Sequence, residues 1–142
     1  MRIVHLKSGD EERLIEAARL FNDEQMRRER AAYLLDSRTF VMVVAYDEDG
    51  IATGRIYGHI LERLSQDDLF IYEVDVVEEH RRKGIGRAML ACLKAICVER
   101  GLGEMFVLTD VDNEAGNALY RKAGGVLENS PANMYVTFTA RT

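Results

Sequence analysis

The sequence predicts a mixed α/β (α+β) fold: a mainly antiparallel sheet with one parallel β-α-β crossover, flanked by helices. Two apolar, β-branched segments, Thr39 to Tyr46 and Ile51 to Leu61, are separated by a four-residue acidic turn that ends in glycine, which is typical of an antiparallel hairpin. A third such segment, Leu69 to Val77, precedes a helical apolar pattern from Ile85 to Arg100 and a short strand pattern from Glu104 to Thr109. That succession predicts two parallel strands joined by a crossover helix.

The N-terminal part of the chain is predicted to contribute one strand and two helices. Ile3 to Leu6 has a strand pattern. Ser8 lies three residues before Glu11, which is the spacing of a capping box, so a helix is expected to begin there and to run to about Phe21. A second helix is predicted from about Arg28 to Leu35.

The C-terminal part is predicted to contribute a helix and a closing strand. Asp112 or Asn113 can cap a helix that ends at Gly124-Gly125, and Met134 to Thr139 has a strand pattern. The predicted order of elements is therefore β, α, α, β, β, β, α, β, α, β, in a single domain that spans residues 1–142.

The composition narrows the class of protein. A net charge of −5 argues against a nucleic-acid-binding protein, because such proteins usually have a basic face or a high pI. No apolar segment approaches the roughly 18 residues of a membrane span, and the N-terminus lacks the pattern of a signal peptide.

Cys92 and Cys97 lie on the apolar side of a predicted helix and are expected to be reduced, which favours a cytoplasmic protein. His5, His59 and His80 show no metal-ligand spacing, so no metal site is predicted.

The most informative segment is Glu79 to Arg87, which follows a strand pattern and opens a helical one. The first turn of a helix has N–H groups without intrahelical partners, and the glycines at 84 and 86 allow an anion to approach this backbone. The basic residues of the segment are Arg81, Arg82, Lys83 and Arg87. The P-loop pattern fails because Lys83 precedes Gly84 and Ile85 follows it, and the dinucleotide pattern fails because no third glycine follows. We therefore predict a phosphate or pyrophosphate site, with a solvated basic cluster at an ordinary turn as the alternative.

Two motifs resemble those of the GNAT superfamily of N-acetyltransferases. Arg81-x-x-Gly84-x-Gly86, placed after a strand, resembles its acyl-CoA loop, whose pattern is Gln or Arg, two residues, then Gly-x-Gly or Gly-x-Ala. The segment from Asn113 to Gly124 resembles its second signature, in which an Asn precedes a helix that carries Ala, Tyr, Lys and Gly. The two motifs occur in the expected order with one strand between them, and together they cover about half of the chain.

Within the superfamily, the sequence is most similar to the small aminoglycoside 3-N-acetyltransferases. The similar segments are Leu34–Phe40, Phe70–Val74 and Glu79–Ile85. The first of these lies outside the CoA motifs and therefore indicates the subfamily. The sequence departs from that group at Glu73, where Asp is usual, at Gly86, where Ala is usual, and from Val126 to Pro131, a loop that often shapes the acceptor site.

The resemblance implies acetyl-CoA as the cosubstrate and assigns residues to its binding. The pyrophosphate is expected on the backbone amides and basic side chains of the loop, which are those of Arg81, Arg82, Lys83, Gly84, Ile85, Gly86 and Arg87. The pantetheine arm is expected beside the strand at Val74 and Val76, whose amides are candidates for the oxyanion hole. Asn113 is expected to hydrogen-bond the same arm, with a simple helix N-cap as the alternative role.

Three side chains are candidates for the chemistry. Glu73 and Asp75 lie two residues apart and so share a face of the strand, where a carboxylate could accept the proton of an amine directly or through one water. Glu73 is favoured because the resemblance puts an acid there, and the alternative is an exposed residue on a half-solvated strand. Asp75 is either structural or an anchor for the ammonium of the substrate. The resemblance implies Tyr120 as the general acid for the CoA thiolate, with a core tyrosine as the alternative.

These observations predict an acetyl-CoA-dependent N-acetyltransferase that transfers an acetyl group directly to an amine of a cationic small molecule. The first expectation for that molecule is an aminoglycoside antibiotic, which would make the protein an antibiotic-resistance enzyme. The alternatives are an acetyltransferase of the same fold for another small amine or a protein N-terminus, and a CoA-binding sensor without turnover. The strands after Gly125 are a candidate pairing element for a homodimer.

Overall fold

The computed structural model describes residues 1–126 and residue 128. Its helices and strands are β1 (Arg2–His5), α1 (Glu11–Leu20), α2 (Arg28–Asp36), β2 (Phe40–Tyr46), β3 (Ala52–Glu62), β4 (Asp67–Val76), α3 (Ile85–Arg100), β5 (Met105–Val107) and α4 (Glu114–Lys122), with a short 3-10 helix, Glu78–His80, before α3. The chain divides into two compact units, residues 1–108 and residues 109–142. The predicted strand from Met134 to Thr139, and with it the predicted dimer contact after Gly125, lies outside the described residues.

The five described strands form one sheet in the first unit, in the order β1-β2-β3-β4-β5. The first three pairs of neighbours are antiparallel, and β4 and β5 are parallel and joined through α3. In the hairpin between β2 and β3, the Asp47 carboxylate accepts hydrogen bonds from the amides of Asp49 and Ile51, each 2.9 Å long, which closes the acidic turn. The predicted fold class is confirmed, including the hairpin and the single crossover.

The helices of the first unit pack on opposite faces of this sheet. Leu14 of α1 and Met42 of β2 belong to one buried apolar cluster. On the other face, a Cβ built on Gly54 of β3 would lie 3.1 Å from side-chain atoms of both Ile85 and Met89 in α3. Because side chains alternate along a strand, Arg55 points away from α3 and toward the face that carries α1.

The observed boundaries differ from the predicted ones at two places. The predicted capping box at Ser8 is wrong: α1 begins at Glu11 after the cap residue Asp10, and the Ser8 hydroxyl donates instead to the Asp36 carboxylate at 2.5 Å. Ser8 therefore pairs with Asp36, which is distant in the sequence, and not with the first turn of α1. The predicted strand from Glu104 to Thr109 is shorter, because β5 pairs with β4 over only three residues.

A β-bulge interrupts the pairing of β3 with β4. Tyr57 pairs with Glu73, whereas the next residue of β3, Gly58, pairs with Ile71, so Tyr72 is an additional residue on β4. The strands approach closely here, since a Cβ on Gly58 would overlap the carbonyl oxygen of Phe70. Such a bulge reverses the alternation of the strand beyond it.

A buried carboxylate ties the start of β4 to the start of β5. The side chain of Asp68 is 1% exposed and accepts hydrogen bonds from Arg63 Nη1 at 2.6 Å, Gln66 Nε2 at 2.7 Å and the Glu104 amide at 3.0 Å. The Glu104 carbonyl in turn accepts from the Leu69 amide at 2.8 Å. The hydrogen bond from Arg63 is the main cause that lowers the pKa of Asp68 below its usual value of 3.8.

We expect Asp68→Asn to destabilise the protein at neutral pH, because the ionised carboxylate is the form that these donors stabilise. A lowered pKa in the folded state means that this stabilisation is present above pH 3.8 and is lost as the pH falls through the folded value. The difference in unfolding midpoint between wild type and variant should therefore shrink from about pH 7 to about pH 3 in urea titrations. Asp49→Asn, in the exposed hairpin turn, is the control and should show no such trend; a pH-independent difference for Asp68→Asn would contradict the assignment.

Candidate active site

The segment that joins β4 to α3 has the geometry of an anion-binding loop. Gly84 is the N-cap of α3 with a φ of 80°, and Arg82 also has a positive φ, of 63°. Arg81 is anchored to the end of β4, because its Nε donates to the Val76 carbonyl at 3.2 Å. Among the described residues, none accepts a hydrogen bond from the amides of residues 82–87.

These amides and the first turn of α3 together favour a negatively charged ligand. The first turn contains no acidic residue, and the partial positive charge of the helix N-terminus adds to the formal charge of the nearby basic side chains. Arg82, Lys83 and Arg87 are exposed, whereas the side chain of Ile85 is buried against the sheet, so Ile85 can contribute only its amide. The residues present therefore fit a phosphate or pyrophosphate group.

The edge of β4 beyond the bulge offers backbone groups that no described strand pairs with. The Val77 amide donates to the Thr53 carbonyl of β3 at 2.9 Å. Because the backbone groups of a strand alternate between its two edges, Val74 and Val76 direct theirs to the opposite edge, the one that faces β5. Within the described residues, pairing with β5 stops at Ile71 and Val107. This part of β4 can accept an extended ligand as an added strand.

A buried arginine gathers three carboxylates on the α1 face of the sheet. Arg55 of β3 has a side chain only 5% exposed, and its Nη2 lies 2.6 Å from Glu73 Oε2 while its Nε lies 3.1 Å from Asp75 Oδ2. Asp23, after the end of α1, is a third partner, with its Oδ2 3.8 Å from Arg55 Nη1. We call Asp23, Arg55, Glu73 and Asp75 the acidic cluster. Three carboxylates face one guanidinium, so the cluster has a formal charge of −2.

Aromatic rings complete the surroundings of the arginine. The guanidinium carbon of Arg55 lies 5.0 Å from the ring centroid of Phe21 and 5.6 Å from that of Tyr57, which stabilises the buried charge. The carboxylates of Glu73 and Asp75 keep 39% and 37% of their side-chain surface exposed, so a ligand can reach them. Burial, and then the nearby Glu73 carboxylate, raises the pKa of Tyr57 to about 12, so Tyr57 keeps its proton and remains a hydrogen-bond donor at neutral pH.

The structure brings Glu73 and Asp75 together on one face, as their spacing predicts, but it adds Arg55, Asp23 and Tyr57, which the sequence analysis missed. The available signal was an arginine in the middle of an otherwise apolar strand segment. That signal alone does not identify the partners, because they depend on the register between β3 and β4.

Two further candidates lie in the second unit. The side-chain Oδ1 of Asn113 accepts a hydrogen bond from the Gly116 amide at 3.1 Å, so this side chain is the N-cap of α4, the alternative role predicted for it. Its Nδ2 lies 3.4 Å from Thr109 Oγ1. Tyr120 is half-buried on α4. The roles of Asn113 and Tyr120 toward a cosubstrate remain predictions.

The described part of the chain lacks two other kinds of feature. Residues 1–126 and 128 contain no group of three His, Cys, Asp or Glu side chains placed to hold a metal ion. No helix among them has both the length and the apolar character that crossing a bilayer requires.

We expect Arg55→Met to lower the free energy of unfolding by about 2 kcal/mol, because the three carboxylates lose the donor that they share. Their partial exposure keeps this value below that of a fully buried network. Added salt should reduce the loss, since it screens the remaining repulsion. Urea unfolding measures the change.

Arg38→Met is the matched control, because Arg38 forms an exposed ion pair with Glu62, Nη2 to Oε2, at 2.9 Å, and its removal should change stability little. Equal effects of the two substitutions would show that the acidic cluster does not depend on Arg55.

Solved structures similar to this one include several acetyltransferases. An aminoglycoside acetyltransferase from an uncultured soil metagenomic sample, solved in complex with sisomicin, superposes with a TM-score of 0.85 at 24% identity, over 97% of this chain and 96% of that one. A second aminoglycoside acetyltransferase from such a sample gives 0.77 at 26% identity, over 96% and 98%. A ribosomal-protein-alanine N-acetyltransferase from Brucella melitensis biovar Abortus 2308 gives 0.74 at 19% identity, over 98% and 100%.

Sequence comparison leads to the same family. A stretch of 55 residues, 39% of this chain, is 36% identical to the GCN5-related N-acetyltransferase 7, chloroplastic, of Arabidopsis thaliana, and the match spans only 20% of that protein. The profile of the Acetyltransferase (GNAT) family matches residues 7–125, which include the anion-binding loop, the acidic cluster and α4. On this match and on the shared fold, the chain belongs to the GNAT family of N-acetyltransferases.

Proposed function

We propose that this acetyltransferase uses acetyl-CoA to acetylate an amine of a cationic small molecule, with an aminoglycoside as the first candidate. The acidic cluster is the observation that carries the proposal. Its formal charge of −2 attracts polycationic amines, and Glu73 and Asp75 are exposed enough to contact one. The aminoglycoside acetyltransferases among the similar structures support this choice of acceptor.

The chain's own groups are suited to bind acetyl-CoA. The amides of residues 82–87, with Arg81, Arg82, Lys83 and Arg87 around them, would hold the pyrophosphate. The edge of β4 at Val74 and Val76 would hold the pantetheine arm by backbone hydrogen bonds. When bound, the cosubstrate supplies an activated acetyl group as a thioester.

The acidic cluster would prepare the amine for reaction. An ammonium ion must lose a proton before its nitrogen can attack a carbonyl carbon, and Glu73 would accept this proton directly or through one water. Arg55 donates a hydrogen bond to Oε2 of Glu73, so the other oxygen, Oε1, would receive the proton of the amine. Asp75, on the same face, would hold a second ammonium group of the substrate.

Two other groups would stabilise the charge that develops on the cosubstrate. The amide of Val74 or Val76 would donate to the oxyanion that forms on the acetyl carbonyl, a contribution of about 3 kcal/mol when well aligned. Tyr120 would donate its phenolic proton to the departing thiolate, as its place in the GNAT motif implies. Acetyl transfer would then be direct, without an acetylated enzyme.

A protein N-terminus is the second candidate acceptor. It is supported by the likeness to the ribosomal-protein-alanine N-acetyltransferase, which shares the fold. A CoA-binding sensor without turnover is the third hypothesis. Measuring thiol release from acetyl-CoA with different acceptors distinguishes it from both kinds of enzyme.

We expect Glu73→Gln to lower kcat by about 100-fold and Tyr120→Phe to lower it by about tenfold or more, because each removes one proton-transfer group. Thiol release from acetyl-CoA measures turnover, with aminoglycosides, polyamines, amino acids and short peptides as acceptors. Glu62→Gln, an exposed glutamate on β3 outside the acidic cluster, is the control and should leave kcat unchanged.

Turnover with peptides alone would replace the aminoglycoside proposal by the protein N-terminus. Tight CoA binding without turnover on any acceptor would favour the sensor. Full activity of Glu73→Gln would exclude Glu73 as the proton acceptor.

We expect Gly84→Ala to raise the KM for acetyl-CoA by about tenfold while the KM for the amine changes little. At a φ of 80°, a side chain strains the loop by about 1–2 kcal/mol and disturbs the amides that would hold the pyrophosphate. Gly101→Ala is a matched control, because Gly101 caps the other end of α3 with a φ of 68°. Both variants should be less stable, and only Gly84→Ala should change the KM for acetyl-CoA. An equal KM effect in both would contradict the assignment of the loop.

A further inference from the structure

The bulge in β4 places an aromatic residue and an acid side by side on one face of the sheet. In a regular strand, Tyr72 and Glu73 would point to opposite faces. Here the Tyr72 ring lies 5.7 Å from the ring of Tyr57, and Tyr57 pairs directly with Glu73. Glu73 itself contacts Arg55, whose guanidinium lies over the same Tyr57 ring. Tyr72 and Glu73 therefore share the α1 face.

Further rings extend this surface away from the acidic cluster. The Phe70 ring lies 6.2 Å from that of Tyr72 and stacks on that of Phe106 in β5 at 5.1 Å, with 5° between the planes. We call Tyr57, Phe70, Tyr72 and Phe106 the aromatic wall. Tyr72 is 59% exposed and Phe106 is 36% exposed, so the wall is accessible where it leaves the cluster. One continuous surface thus carries negative charge at one end and flat apolar rings at the other.

We propose that the acceptor is an amine borne on a ring, with its ammonium at the acidic cluster and the face of its ring against Tyr72 in the aromatic wall. This inference rests on the proposed function, because it names the class of acceptor for the same site. The acidic cluster attracts the ammonium group of the acceptor, since the cluster has a formal charge of −2. The exposed rings of the aromatic wall favour a ring in the rest of the acceptor, since a ring that covers them removes apolar surface from water on both partners.

A linear polyamine fits this surface less well. It can satisfy the carboxylates of Glu73 and Asp75, but its chain presents a narrow, flexible strip that covers little of the wall and loses more rotational freedom on binding. A rigid ring covers the Tyr72 face at smaller entropic cost. Both saturated rings, such as an aminocyclitol, and aromatic rings meet this requirement, and the experiment separates them.

The test measures dissociation constants by calorimetry, in the presence of CoA, for three amines. Sisomicin carries its amines on non-aromatic rings, tryptamine carries its amine on a two-carbon chain attached to an aromatic ring system, and spermine is linear. We expect Tyr72→Leu to weaken the binding of at least one ring amine by about fivefold, as expected for the loss of one ring contact, and that of spermine by less than about twofold. Tyr72→Phe keeps the ring and should bind all three amines nearly as wild type does. Because Tyr72 is exposed, both substitutions should leave the fold intact, and thermal unfolding of each variant checks this.

The outcomes separate this inference from the proposed function. Equal losses for spermine and for the ring amines, or no loss for either ring amine, would overturn the inference even if acetylation occurs. The absence of binding by all three amines would overturn it as well. The expected pattern of binding without acetylation of any amine would support the aromatic wall and overturn the proposed function. The relative loss of affinity for sisomicin and for tryptamine in Tyr72→Leu identifies the kind of ring that the wall prefers.

Discussion

The single extra residue at Tyr72 is the constraint on which both parts of the site depend. Because a strand alternates its backbone groups between two edges and its side chains between two faces, one additional residue reverses both. Before the bulge, Leu69 donates its amide toward β5; beyond it, Val74 and Val76 direct theirs to the same edge where β5 no longer pairs. The same reversal keeps Tyr72 and Glu73 on one face. One local irregularity therefore produces both the edge of β4 that is proposed for the cosubstrate and the surface that is proposed for the acceptor.

Arg55 organises the acidic cluster at an energetic cost. Burying a guanidinium is unfavourable unless its donors are occupied, and here two of its nitrogens donate to Glu73 and Asp75 while two rings cover its faces. In return, three carboxylates that would otherwise repel one another are held around one guanidinium. Because Asp23 follows α1 whereas the other two acids lie on β4, the arginine also links a helix end to the sheet. The acidic cluster therefore keeps a net negative charge on partly exposed side chains.

The two ligands of the proposed reaction would be recognised by different means. The anion-binding loop and the edge of β4 would act through backbone amides, so their requirements are a helix start, a left-handed Gly84 and an interrupted strand pair. The proposed acceptor surface would act through side chains, which can change while the fold stays the same. Such a division of roles would allow enzymes named for aminoglycosides and for a ribosomal protein, each 19–26% identical to this chain, to share its fold.

The sequence by itself determined the features that depend on neighbours along the chain. Apolar periodicity predicted the strands, the helices and the crossover, and the spacing of Arg81, Gly84 and Gly86 predicted the anion-binding loop, because each reflects local backbone geometry. Only the tertiary structure decided the bulge, the carboxylate partners of Arg55 and the aromatic wall. These depend on the register between β3, β4 and β5, and register is set by packing between residues that lie far apart in the sequence.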